Sequence, residues 1–78
     1  MKVAGMSQRK ATNELDQVET DIADVMVNIA DFANYRKTHP SHFGMARIEA
    51  NLKSERLTLR RLHHRRETLQ RHLEEIQR

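Results

Sequence analysis

The sequence ATNELDQVETDIADVMVNIADF, residues 11–32, decides the fold of this chain. Its apolar side chains recur at alternating steps of four and three residues: Ala11, Leu15, Val18, Ile22, Val25, Ile29 and Phe32. This spacing is the heptad repeat of a coiled coil, which forms an apolar seam along one side of an α-helix. We therefore predict a first helix over about residues 7–37. Ser7 is the expected N-cap, with Thr12 as the alternative if the helix starts later.

A second seam follows after residue 44. Its members are Met45, Ile48, Leu52, Leu59, Leu62, Leu69, Leu73 and Ile76, and they predict a second helix over about residues 42–78. Glu55 and Arg66 occupy seam positions in this helix, where a buried unpaired charge is costly. Three outcomes are open: they lie at the rim, they pair within an oligomer, or they fix the register.

The residues between the two seams predict a tight turn. Pro40 would break a helix interior but fits a first turn, so we place the turn at about residues 38–41. Thr38 or Ser41 would cap the second helix. Gly44 is expected in its first turn, as a weak point or a point of close backbone approach. Residues 1–6 have no apolar period and are expected to form a flexible tail.

Turn, seams and charge all favour one fold, an all-α antiparallel two-helix coiled-coil hairpin. A turn near residue 38 or 39 would place opposite each other residues whose numbers add up to about 77. Seam residues then face seam residues, and the acids of the first helix face the basic stretch of the second. Glu14 with Arg65 and Glu19 with Arg56 are the predicted ion pairs.

The apolar surface is wider than a two-helix seam can bury. Met26, Val27 and Ala30 lie beside the first seam, and Leu69, Leu73 and Ile76 would extend beyond the first helix. Small domains generally need further stabilisation. We therefore expect self-association, most simply a dimer that forms a four-helix bundle. The alternative is that alanine and methionine at these positions tolerate exposure.

Composition restricts the class of protein. The 78 residues carry a formal net charge of +3 and no cysteine, so disulfides and thiolate sites are excluded. There is neither a signal-peptide pattern nor an apolar run long enough to span a membrane. We expect a cytoplasmic protein. Residues 1–38 sum to −1 and residues 39–78 to +4, so the basic charge lies in the second helix.

That charge is concentrated in a cluster of five arginines, Arg56, Arg60, Arg61, Arg65 and Arg66. Arginine suits phosphate because its planar fork donates two hydrogen bonds. However, no base-reading motif and no stacking aromatic accompanies the cluster. Three interpretations are open: a solvated face compensated by the first helix, contact with nucleic acid, or contact with an acidic protein.

Metal binding and catalysis find little support. The five histidines lack the spacing of a helical metal site, and neither a nucleophile motif nor a glycine-rich phosphate loop is present. His63 and His64 would instead charge below about pH 6.5 and loosen the hairpin or an interface. We expect no cofactor, no metal and no enzymatic activity.

The sequence thus favours a non-enzymatic, self-associating helical module that binds another protein as an adaptor, assembly factor or small inhibitor. Such hairpins occur in scaffolding proteins, toxin-antitoxin partners and small phage or mobile-element proteins, so the fold does not fix the function. The alternative is a small nucleic-acid-binding regulator that uses the basic stretch of the second helix. A membrane-surface role is third, since the acids of the first helix oppose adsorption to anionic lipid.

Overall fold

Two long helices make up the hairpin in this computed structural model, which describes residues 5–38 and 44–77. Helix α1 spans Gln8–Thr38 and helix α2 spans Met45–Gln77. They run antiparallel, and the molecule extends 55 Å along its longest axis and 16 × 15 Å across it. A helix with its side chains is about 10 Å wide, so this cross-section holds only the two helices. Each helix is covered on the side that faces the other, and much of its remaining surface is open to solvent.

The two predicted seams form the contact between the helices. The buried side chains within the described ranges all belong to them except Met6, and they are Met6, Ala11, Val18, Ile22, Val25, Leu52 and Leu69. Leu15, Leu59, Leu62 and Leu73 are half-buried and pack against this core. The all-α hairpin is therefore confirmed. A core of this size is thin, since seam residues between two helices remain partly open on both sides.

Ser7 caps α1 as predicted. Its Oγ accepts a hydrogen bond from the backbone N–H of Lys10 at 3.2 Å, which satisfies a donor that the first turn leaves free. Thr12 lies inside the helix, where its hydroxyl donates to the Gln8 carbonyl. Arg36 and Lys37 lie in the last turn of α1, as expected for cations at the negative end of the helix dipole.

Gly44 precedes α2 and does not lie within its first turn. Its φ of +98° is in the region that favours glycine, and its carbonyl accepts hydrogen bonds from the N–H groups of Arg47 and Ile48. A Cβ at Gly44 would meet nothing within 4 Å, so the expected close backbone approach is wrong. The predicted cap at Ser41 and most of the predicted turn lie outside the described residues.

The contacts between α1 and α2 have number sums above the predicted 77 along the whole hairpin. The ion pair between Glu14 and Arg65 forms as predicted, at 3.8 Å. Nearer the turn, Asn28 contacts Glu55 and Arg36 contacts Glu49, and these numbers add up to 83 and 85. At a sum of 83, Arg56 is level with Val27 of α1 and not with Glu19. Within the described ranges no ion pair joins it to Glu19, so that prediction is wrong.

The open end is closed by residues that we assigned to the tail. Met6 is 7% exposed and packs with Ala11 and Leu69. The Nε2 atom of His72 lies 2.7 Å from the Met6 carbonyl oxygen and donates to it. The expectation that Leu69 and Leu73 extend beyond α1 is therefore wrong, because Met6 continues the hairpin to their level.

Candidate interaction surface

The five arginines of the predicted cluster divide into two groups, an inner pair and an outer set. Arg65 and Arg66 form the inner pair, turned towards α1. Arg65 lies against Glu14 with its side chain 28% exposed. Arg66 occupies a seam position and is half-buried, and its Nε atom is buried without a hydrogen-bond partner. The structure therefore explains two arginines of the cluster by contacts or packing within the hairpin.

The outer set consists of Arg56, Arg60 and Arg61, which are exposed on α2. Within residues 5–38 and 44–77, no carboxylate lies within ion-pair distance of any of them. Arg56 and Arg60 line a shallow groove on the outside of α2, together with Glu49, Ala50, Lys53 and Leu57. We call Lys53, Arg56, Leu57, Arg60 and Arg61 the basic face. Its cations lack the carboxylate partner on α1 that Arg65 has in Glu14.

The outside of α1 carries the opposite charge. Between residues 11 and 35 the chain has six acidic residues and neither lysine nor arginine. Asp16, Glu19, Asp24 and Asp31 are exposed there. The two helices therefore present opposite charges to solvent over the middle of the hairpin. Each of these surfaces attracts a partner surface of opposite charge and repels a surface of the same charge.

Apolar side chains are exposed within both charged faces. Met26 is 55% exposed and Val27 58% exposed on α1, and Leu57 is 46% exposed on α2. Ala23 and Ala30 are also exposed and flank Met26 and Val27 one helical turn away. We call Asp24, Met26, Val27, Ala30 and Asp31 the acidic face. Large apolar side chains next to charged ones are typical of the buried core and rim of protein interfaces.

The six residues predicted for an oligomer interface do not share one environment. Met26, Val27 and Ala30 are exposed as that prediction requires, and Ile76 is 39% exposed. Leu69 is fully buried and Leu73 half-buried within the hairpin. Leu69 thus has its packing partners inside this chain. Of the six, those on α1 lie together and form an available surface.

The polar side chains at the seam serve the hairpin itself. Glu55 is half-buried and accepts a hydrogen bond of 3.4 Å from the Nδ2 atom of Asn28, so it lies at the rim of the seam. His72 binds the Met6 carbonyl, a contact that sequence reasoning missed. The signal was its position three residues after Leu69, which places both side chains on one side of α2. His63 is half-buried and His64 exposed.

Residues 5–38 and 44–77 contain neither a metal-binding cluster nor a membrane-spanning helix. In the parts of the chain that the structure describes, no three His, Asp or Glu side chains come together in a way that would hold a metal ion. Neither α1 nor α2 has an apolar stretch sufficient to cross a lipid bilayer. His39, His42 and Phe43 lie outside the described residues.

Comparison with known proteins does not assign the chain to a group. It matches no family model, and neither a curated protein nor a solved structure is significantly similar to it.

Proposed function

We propose that this protein is a non-enzymatic helical module that associates with itself and binds another protein, as an adaptor, assembly factor or inhibitor. The observation that carries the proposal is the exposure of Met26, Val27 and Leu57 on a hairpin with a thin core. Burying these side chains against a partner removes apolar area from water, which is the main favourable term in association. A dimer forming a four-helix bundle is the simplest such assembly.

Stability supports the same proposal. A hairpin of this size buries few side chains completely, and association stabilises a folded chain because the partner binds the folded state alone. The module acts in the cytoplasm under this proposal, where a chain without cysteines has no disulfide to lose.

Sedimentation velocity over a range of micromolar concentrations tests self-association. We expect the wild type to sediment as a dimer, and the double variant Met26→Gln/Val27→Thr to dissociate at concentrations at which the wild type does not. Thr20→Gln/Asn34→Thr is the matched control, since both residues are exposed on α1. A wild type that is folded and monomeric throughout would refute the proposal.

A second function, binding to nucleic acid, is favoured by the outer set of arginines. Arg56, Arg60 and Arg61 are exposed and have no carboxylate within ion-pair distance in the described ranges, so their guanidinium groups are available to phosphate. Fluorescence anisotropy of labelled duplex DNA and single-stranded RNA at about 50 and about 200 mM salt tests it, because phosphate contacts make binding weaken steeply with salt.

Variants separate this second function from the first. Under it, Arg60→Gln/Arg61→Gln weakens binding and flattens its dependence on salt, whereas Arg47→Gln/Arg71→Gln, also on exposed positions of α2, has less effect. An absence of binding at the lower salt concentration would exclude the nucleic-acid function and leave protein partners for the basic face.

A further inference from the structure

We infer that the basic face of α2 binds the acidic face of α1 in a second copy of this chain, so that the copies associate crosswise. This inference rests on the proposed self-association and specifies its surfaces. Two hairpins can pack with like helices together or with α1 of one copy against α2 of the other. Charge selects between these two arrangements.

Packing like helices together would bring like charges into contact. The basic face carries four cations, those of Lys53, Arg56, Arg60 and Arg61. The two nearest acids are engaged within the hairpin, Glu49 with Arg36 and Glu55 with Asn28. The acidic face has no base between residues 11 and 35. Contact of α2 with α2, or of α1 with α1, would therefore oppose charges of one sign, and such contacts are unfavourable. The crosswise arrangement opposes charges of different sign.

The spacing of the two faces is complementary as well. Val27 has Asp24 three residues before it and Asp31 four residues after it. Leu57 has Lys53 four residues before it and Arg60 three residues after it. When the two helices run antiparallel with Val27 at the level of Leu57, Asp24 is level with Arg60 and Asp31 is level with Lys53. An acid of one copy and a base of the other then lie at the same level on either side of the apolar contact along the helix axis.

The acidic face and the basic face lie at the same distance from the turn end of the hairpin. Met26 lies twelve residues before the end of α1, and Leu57 lies twelve residues after the start of α2. At about 1.5 Å per residue, both are about 18 Å from the turn end. When two copies lie side by side with both turns at the same end, the acidic face of one copy is therefore at the level of the basic face of the other.

Charge reversal tests this arrangement. The acid-reversed variant is Asp24→Arg/Asp31→Arg, and the base-reversed variant is Lys53→Glu/Arg60→Glu. All four residues are exposed and take part in no ion pair within the described ranges. Each variant alone places like charges across the contact. We expect the dimer dissociation constant of each to rise at least about tenfold at low salt.

Mixing the two variants restores opposite charges at every crosswise contact. We expect the mixture to form a heterodimer with an affinity within a few-fold of the wild type, measured by sedimentation velocity and by native mass spectrometry, which separates the two variants by mass. Glu74→Arg/Glu75→Arg and Arg47→Glu/Arg71→Glu are the controls, because they change net charge equally at exposed positions elsewhere on α2. Circular dichroism verifies that all variants are helical.

The outcomes separate the two proposals. A monomeric wild type would overturn self-association and the crosswise contact together. A dimeric wild type whose reversed variants behave like the controls, or whose mixture forms no heterodimer, would overturn the crosswise contact and leave self-association standing. Weakening by each variant and recovery in the mixture would support the crosswise contact.

Discussion

Leu69 and Leu57 lie on the same helix, yet one is fully buried and the other is 46% exposed. Leu69 belongs to the seam and packs with Met6 and Ala11. Leu57 belongs to the basic face and lies with Lys53 and Arg60 in an open groove on the outside of α2. The same residue type therefore stabilises the hairpin at one position and offers apolar surface to a partner at the other. The seam side holds the fold together, and the outer side is available for binding.

Replacing the two leucines would show this difference most strongly. We expect Leu69→Ala to lower the free energy of unfolding by about 2–5 kcal/mol, because it removes packed methyl groups and leaves a cavity. Leu57→Ala is expected to change it by under about 0.5 kcal/mol in the monomer. Chemical denaturation followed by circular dichroism, at dilution sufficient for the monomer to predominate, measures both. Equal losses would contradict the distinction between the two sides.

A smaller change in stability, and of opposite sign, is expected from replacing Arg66. The buried Nε atom of Arg66 has no hydrogen-bond partner, and an unsatisfied buried donor costs about 1–3 kcal/mol. Arg66→Met keeps an unbranched side chain in the seam and removes that donor, so we expect a gain of about 1 kcal/mol.

Arg61→Met is the control for this substitution, since Arg61 is exposed and its replacement should alter stability by less than about 0.5 kcal/mol. Thermal melts of both variants at one protein concentration provide the comparison. A loss of stability in Arg66→Met would mean that the guanidinium group stabilises the seam.

The smallest effects are expected from the ion pairs that join the two helices. Arg36 and Glu49 lie 2.7 Å apart with side chains 40% and 50% exposed, whereas Arg65 and Glu14 lie 3.8 Å apart. Exposed pairs contribute about 0.2–1 kcal/mol, and solvent screens them. Double-mutant cycles in urea should therefore give a larger coupling for the first pair than for the second, and both should weaken in high salt. A coupling that salt leaves unchanged would contradict the screened, exposed character of these pairs.

Much of the hairpin follows from local chemistry. The heptads predicted which side of each helix is buried, since Val18, Ile22, Val25, Leu52 and Leu69 are all seam residues. Ser7 was recognisable as an N-cap because a hydroxyl in front of a helix satisfies a free N–H. The pair of Glu14 with Arg65 followed from an antiparallel arrangement of the two seams.

The register of the two helices did not follow from the pattern. A seam of similar apolar side chains can form in more than one register. Because α1 ends at Thr38 and α2 begins at Met45, the numbers of facing residues next to the turn add up to 83, above the 77 that we expected. Two charged side chains on the flanks of the seam meet only in one register, whereas the seam itself can form in several. The predicted ion pair of Glu19 with Arg56 was wrong for this reason.

The divided arginine cluster shows the same limit in the candidate surface. In the sequence Arg56, Arg60, Arg61, Arg65 and Arg66 form one group. Their separation depends on where α1 lies relative to each one. Glu14 lies within ion-pair distance of Arg65, whereas among the described residues no carboxylate lies that close to Arg60 or Arg61. The pattern along one helix predicts in which direction a side chain points. Which residues it contacts depends on the position of the other helix.

The sequence by itself determined two helices, the side of each that is buried and the opposite charges of their outer sides. These features depend on the spacing of residues within one helix, because the repeat of 3.6 residues per turn sets which side chains share a side. The tertiary structure decided that Met6 closes the open end over Leu69 and that Arg65 and Arg66 turn inward while Arg56, Arg60 and Arg61 remain exposed. Those outcomes depend on contacts between residues far apart in the chain, because the packing of α1 against α2 sets which side chains meet.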